Sequence, residues 1–187
     1  MRIEHVLTFK RLCLCSLIAL ALNIANAQQK QAVQVLPNYT LKYSVTTSAK
    51  KEVIWQLWED VENWKDYDTI LKYSYLEDGA EFTQGAIGYV KGKGAPKTKF
   101  KLIKVNPGIS FTERLYVPLY QAIDLQRYFE ESPEGTTTFT HEVNFKGRLS
   151  FLIYAVAGGA FKRDLPLVMS RMKALAESNS EPPEPTN

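Results

Sequence analysis

Apolar positions recur at steps of three and four across Arg148–Ser178, where Leu149, Leu152, Ile153, Val156, Phe161, Leu165, Val168, Met169, Met172 and Leu175 trace one helical face. A helix of that length holds its shape by laying such a face on another element. The segments before it change period. Tyr39–Thr46 alternates Leu41, Tyr43 and Val45 against Lys42, Ser44 and Thr46, the pattern of a half-buried strand. Ser48 is placed to cap a helix from Ala49 with Val53, Ile54, Leu57, Trp58 and Val61 as its buried stripe, and Asp60–Asp68 follows as a second short helix or turn.

From Ile70 the period is two and the punctuation is glycine. Strands are predicted at Ile70–Glu77, Ala86–Gly92, Lys97–Val105, Ile109–Val117, Tyr120–Glu131 and Thr136–Gly147, with Asn106-Pro107-Gly108 and Ser132-Pro133-Glu134-Gly135 as turns. Short connections between successive strands favour an antiparallel meander, so the final helix should lie across a curved antiparallel sheet. Pro166 inside that helix predicts a kink or break around Gly158–Pro166.

The ends read differently. Arg2, Lys10 and Arg11 precede the apolar run Leu12–Ile24, and Ala25-Asn26-Ala27 closes it with small residues, so residues 1–27 read as a secretory signal peptide cleaved after Ala27. That predicts a periplasmic or secreted protein. Residues 28–38 read as a polar tether, 39–177 as one domain, and 178–187, rich in Ser, Glu and Pro, as a disordered tail. Removing 27 of 187 residues leaves 160, enough for one domain with a core. Both cysteines and His5 leave with that segment, as do three basic residues and one acidic, so the net charge falls from +3 to +1. A near-neutral chain gives no electrostatic reason to expect nucleic acid, and one remaining histidine supplies no metal site. No cofactor or metal is therefore expected.

Register carries the candidate chemistry. A hairpin turning at Pro133-Glu134 puts Phe129 opposite Phe139, Arg127 opposite His141, Leu125 opposite Val143, and Ile123 opposite Phe145. Phe111, Glu113 and Leu115 would share that helix-facing side, making Glu113, Arg127 and His141 a polar line across an apolar sheet. Three readings stay open: Arg127 anchors a ligand carboxylate or hydroxyl with Glu113 and His141 assisting; Glu113 and Arg127 close on each other; or a one-residue slip turns all three to solvent. Met169 and Met172 are candidates for an adaptable wall. Trp64 and Tyr67, with Trp55 and Trp58, are candidates for a roof at the mouth, and tyrosines such as Tyr73, Tyr75 and Tyr120 for hydroxyl donors. Lys91, Lys93, Lys97, Lys99 and Lys101 make a cationic hairpin, read as a solvated edge or as a peripheral contact with anionic membrane.

The order strand, two short helices, antiparallel strands, long helix is that of the helix-grip fold, an α+β class. Val53-Ile54-Trp55 with Leu57 and Asp60, Val61-Glu62-Asn63-Trp64 with Tyr67, Phe82 with Gly85 and Gly88, the Val105-Asn106-Pro107-Gly108 turn before Phe111, and Gly147 before the last helix resemble the START-like (SRPBCC) superfamily, nearest its polyketide cyclase/dehydrase and lipid-transport branch. That resemblance implies a cavity between sheet and helix which holds a lipid-, sterol- or polyketide-like molecule, and it brings no universal catalytic residue. The expectation is a monomeric exported binding protein with a cavity of roughly several hundred Å³. The alternatives are a cyclase or aromatase using Glu113 or His141 as acid and base, and an envelope lipid-handling partner.

Overall fold

Residues 32–119 and 121–180 are described by the computed structural model. The readings that fall on the signal peptide, on Tyr120 and on residues 181–187 lie outside that range. Alternation sets the first long strand: Leu41, Tyr43, Val45 and Thr47 are buried while the residues between them are not. The sheet built on it is antiparallel throughout. Its members are β1 (Gln34–Leu36), β2 (Thr40–Thr47), β3 (Leu71–Leu76), β4 (Ile87–Gly92), β5 (Lys97–Asn106), β6 (Ser110–Val117), β7 (Gln121–Glu130) and β8 (Thr137–Lys146), in the spatial order β1-β2-β8-β7-β6-β5-β4-β3. From β3 to β8 each strand pairs with its neighbour in sequence, and β2 returns to close on β8. The expected α+β helix-grip architecture is what forms.

Helix α1 (Lys51–Glu59) and a 3-10 turn (Val61–Asp66) cross between β2 and β3. Trp58 and Trp64 are fully enclosed there, and Trp64 Nε1 donates to the Trp58 carbonyl at 2.9 Å. Helix α2 (Ser150–Ser180) follows β8 and buries Leu165, Val168, Met169, Met172 and Ala176.

Four expectations need correction. Gln34–Leu36, read as tether, pairs with β2, because even a short strand satisfies main-chain groups that a free segment leaves to water. Ser48 does not cap α1: its hydroxyl and N–H both go to Glu177, and Lys50 begins the helix without a side-chain cap. Pro166 does not break α2, whose helical backbone is continuous across it. Nor does order end at Glu177, since α2 runs on to Ser180.

Glu177 explains the extra turn. Its Oε1 accepts from Thr47 Oγ1 at 2.8 Å, Ser48 N at 3.2 Å, Ser48 Oγ at 3.2 Å and Lys173 Nζ at 2.7 Å, tying the end of α2 to the bend before α1. Lys173 foremost, with Thr47 and Ser48, holds this carboxyl down at about 2 against an opposing effect of burial. A depressed carboxyl contributes stability that is present above its ordinary pKa and is lost as pH falls towards the folded value. Glu177→Gln should therefore destabilise the protein by about 1 kcal/mol at pH 7. Urea unfolding should show that gap shrinking as pH falls from 4.5 towards 2.

Candidate functional site

Between the middle of the sheet and α2 lies a cavity of about 60 Å³, lined by Leu125, Gln126 and Arg127 of β7, His141, Glu142 and Val143 of β8, Asp68 and Ile70 ahead of β3, and Phe161, Asp164, Leu165 and Val168 of α2. The hairpin register explains its floor. Arg127 pairs with His141, Leu125 with Val143, Phe129 with Phe139 and Ile123 with Phe145, so alternation delivers all eight to the side facing the helix. On β6, Phe111 stands opposite Arg127 and Glu113 opposite Leu125.

The Arg127 guanidinium is enclosed on three sides. Its centre lies 5.0 Å from the Trp64 ring and 5.0 Å from the Phe111 ring, and Nη1 is 3.0 Å from Glu113 Oε1. Rings on two sides suit a planar, weakly hydrated cation, and the carboxylate balances its charge. The contact with Glu113 is an ion pair at close range, although Nη1 is not aligned on the carboxylate for a hydrogen bond. Glu113 and Arg127 do pair, and the register slip does not occur. The pair is not fully satisfied, because Arg127 Nε, Glu113 Oε2 and His141 Nε2 are buried without a protein partner.

Burial governs the protonation of these groups. It pushes the Glu113 carboxyl above the usual carboxylate range, opposed by Arg127. It pushes His141 well below its ordinary value, and the Arg127 charge adds to that shift, so the imidazole is neutral. Burial likewise raises Asp68, which Arg127 opposes. Asp164 is held by Arg163 at 2.7 and 2.8 Å.

The remaining candidates divide. Leu125 and Val143 line the cavity with Arg127 and His141, whereas Glu113 touches it only through Arg127. Phe111, Phe129 and Phe139 pack on Trp58, with Phe129 stacked at 4.8 Å, and belong to the core beside the cavity. Met169 and Met172 are fully buried core residues of α2 and do not border it. Trp64 and Tyr67 form no roof over a mouth. Both are buried, Trp64 against Arg127 and Tyr67 with its hydroxyl donating to the Leu57 carbonyl at 3.4 Å. Asp68 and Asp164 were missed as site residues, because one lies in an irregular link and the other on a helix face read only for its apolar members.

The expected size is corrected too. About 60 Å³ has room for a few water-sized groups, against roughly 300 Å³ or more for an ordinary ligand pocket. Trp58, Trp64, Phe100, Phe111, Phe139, Met169 and Met172 occupy the rest. Two wider depressions open to solvent, one beside Tyr116, Val117, Leu119 and Gln121 and one between α1 and Pro107–Ile109, where the candidate Trp55 lies on the wall.

No family model matches the chain, and no curated protein matches it in sequence. Solved structures match in fold. A hypothetical protein of Helicobacter pylori shares 9% identity over 78% of this chain and 96% of its own, with a TM-score of 0.64. Ara h 8.0201 shares 9% over 75% of this chain and 98% of its own, at 0.53. The di-domain ARO/CYC StfQ of the steffimycin biosynthetic pathway shares 11% over 75% of this chain and 51% of its own, at 0.58. The class is thus a helix-grip protein, whose structural neighbours include Bet v1-like and SRPBCC-type proteins. At these identities the likeness is one of fold alone.

Two outcomes test the electrostatics. Glu113→Gln and Arg127→Met should each cost about 3–5 kcal/mol by stranding the other charge, while the double variant should cost less than either; additive losses in urea unfolding would show the pair is not coupled. The His141 sign also follows. A depressed histidine leaves stability intact above about pH 6.5 and loses it below, by up to about 1.4 kcal/mol per pH unit, as the unfolded chain takes a proton that the native state refuses. Stability against pH should therefore fall between pH 6.5 and 5, and His141→Gln should flatten that slope.

Proposed function

We propose that this is an exported binding protein which takes the polar end of a small amphipathic molecule at Arg127 and His141, with the apolar remainder running along Leu125, Val143, Phe161, Leu165 and Val168. The observation that carries the reading is the pair of unpartnered buried nitrogens, Arg127 Nε and His141 Nε2, on two residues that line the cavity under α2. Buried polar atoms left without a partner each cost about 1–3 kcal/mol, and a ligand oxygen would remove that cost. The fold supports the class of function: it is one used for ligand binding, with cyclase-type and Bet v1-like proteins among its neighbours. The signal-peptide pattern of residues 1–27 supports export.

Charge selects the head group. Glu113 already balances Arg127, and Asp68 and Asp164 stand at the same cavity, so it offers no net positive charge to a carboxylate. A hydroxyl or carbonyl oxygen, accepting from Arg127 Nε or His141 Nε2, fits better. At about 60 Å³ the site holds only such a head, so a chain of many carbons would need α2 to move away from the sheet. Against a cyclase, Glu113, the acid expected to work with His141, lies behind Arg127 and lines no part of the cavity.

Native mass spectrometry of the protein purified from its own host should give a mass beginning at Gln28 and a bound organic molecule. Titration of tryptophan fluorescence should show decanol binding at least tenfold tighter than decanoate at pH 7.5. The reverse preference would remove the neutral-head assignment, and an empty protein that binds neither would end the carrier reading.

A further inference from the structure

The first third of α2 is apolar on every side. Leu149–Phe161 runs thirteen residues without a charge, roughly 20 Å as a helix. One side is seated on the domain: the Tyr154 ring meets Phe145 at 5.4 Å and Tyr39 at 5.3 Å, the Phe161 ring meets Phe145 at 5.8 Å, and Ile153 and Ala157 pack on the core. The opposite side faces solvent. Phe151 and Leu152 are each 46% exposed and Val156 is 86% exposed, with Ala155, Gly159 and Ala160 beside them. Leu119, also exposed, approaches the helix start through Gln121, which donates to its carbonyl at 2.7 Å and accepts from Leu149 N at 2.9 Å.

Charge frames this ridge at both ends and with one sign. Lys146 and Arg148 precede it, Lys162 and Arg163 follow it, and the first acid after Glu142 is Asp164, which is spent on Arg163. Lys146, Arg148 and Lys162 make no ion pair among the described residues. We propose that the segment from Leu149 through Phe161 of α2 is a docking face for an anionic lipid bilayer. It lies in the plane of the interface, with Phe151, Leu152 and Val156 inserted among the acyl chains and Lys146, Arg148 and Lys162 reaching lipid phosphates.

The pattern selects this occupant over others. A convex apolar ridge with cations at both ends meets a planar anionic surface at both ends together. A second copy does not fit, because packing the ridge on itself, parallel or antiparallel, sets cation against cation. Spanning is excluded on length, as no helix among the described residues is long and apolar enough to cross a membrane. The proposal is independent of the ligand reading, since none of the inserted residues lines the cavity. It also assigns the membrane contact to a different surface from the Lys91–Lys101 hairpin, where Lys97 is turned onto Tyr75 and Tyr89.

Flotation of the natively processed protein with vesicles tests it. Vesicles of phosphatidylcholine with roughly a third phosphatidylglycerol should bind at least tenfold more protein than phosphatidylcholine alone. Phe151→Glu/Val156→Glu, both at exposed positions and so expected to keep the wild-type melting temperature, should lose that binding at least tenfold. Lys146→Glu/Lys162→Glu should lose it on anionic vesicles, while a Lys97→Glu/Lys99→Glu control should not. Wild-type protein that stays off anionic vesicles, or a Phe151/Val156 variant that floats like wild type, would overturn the proposal. So would a concentration-dependent dimer in sedimentation that the same variant abolishes, which would give the face to a second copy.

Discussion

The interior is arranged around a buried cation that the sheet cannot do without. Arg127, carried by β7, sits between Trp64 and Phe111 with Glu113 at 3.0 Å, so the 3-10 turn contributes one wall to its surroundings and β6 contributes two. Moving β6 away from β7 would strand a charge in a low-dielectric interior, at several kcal/mol. The same pair fixes which part of the sheet can be polar. Leu125, Phe129, Phe139 and Val143 around it are apolar, so hydrogen-bonding capacity under α2 is concentrated at Arg127 and His141.

A carrier and a packed domain make opposite demands on that space, and here packing has most of it. The aromatic cluster around Trp58 meets Phe111, Phe129, Phe139 and His141 within 4.8–6.4 Å, and it fills the volume that an open helix-grip cavity would offer. What is left lies towards α2, where contacts are with Phe161, Leu165 and Val168 instead of with rings locked edge to face. The floor on the other side is sheet, whose central strands run eight to ten residues each.

Periodicity made most of this legible. Two-residue alternation around one turn was enough to place Phe129, Arg127, Leu125 and Ile123 against Phe139, His141, Val143 and Phe145, because a slip by one residue would have put every apolar side chain in water. Long-range side-chain bonds were not legible. Glu177 looked like the last residue before a tail, since nothing local reveals that Thr47 and Ser48, 130 and 129 positions away, would meet it. Cavity volume was hidden for a related reason: which of several aromatic residues fills a space depends on rotamers and neighbours, and hydropathy does not carry that information. Pro166 does not end the helix, and Leu165, Val168 and Met169 beside it are buried.

The junction between β8 and α2 holds an inherited dependency. Gln121 reaches across from the start of β7 to bond both Leu119 and Leu149, and it occupies the space where a side chain at Gly147 would stand. Gly147 also holds a φ of +108°, a backbone state that suits glycine. Two residues far apart in the chain thus act as one unit of evolutionary change: while the glutamine spans this corner, position 147 has little freedom to drift, and an altered residue there would be tolerated chiefly where the latch had first been given up.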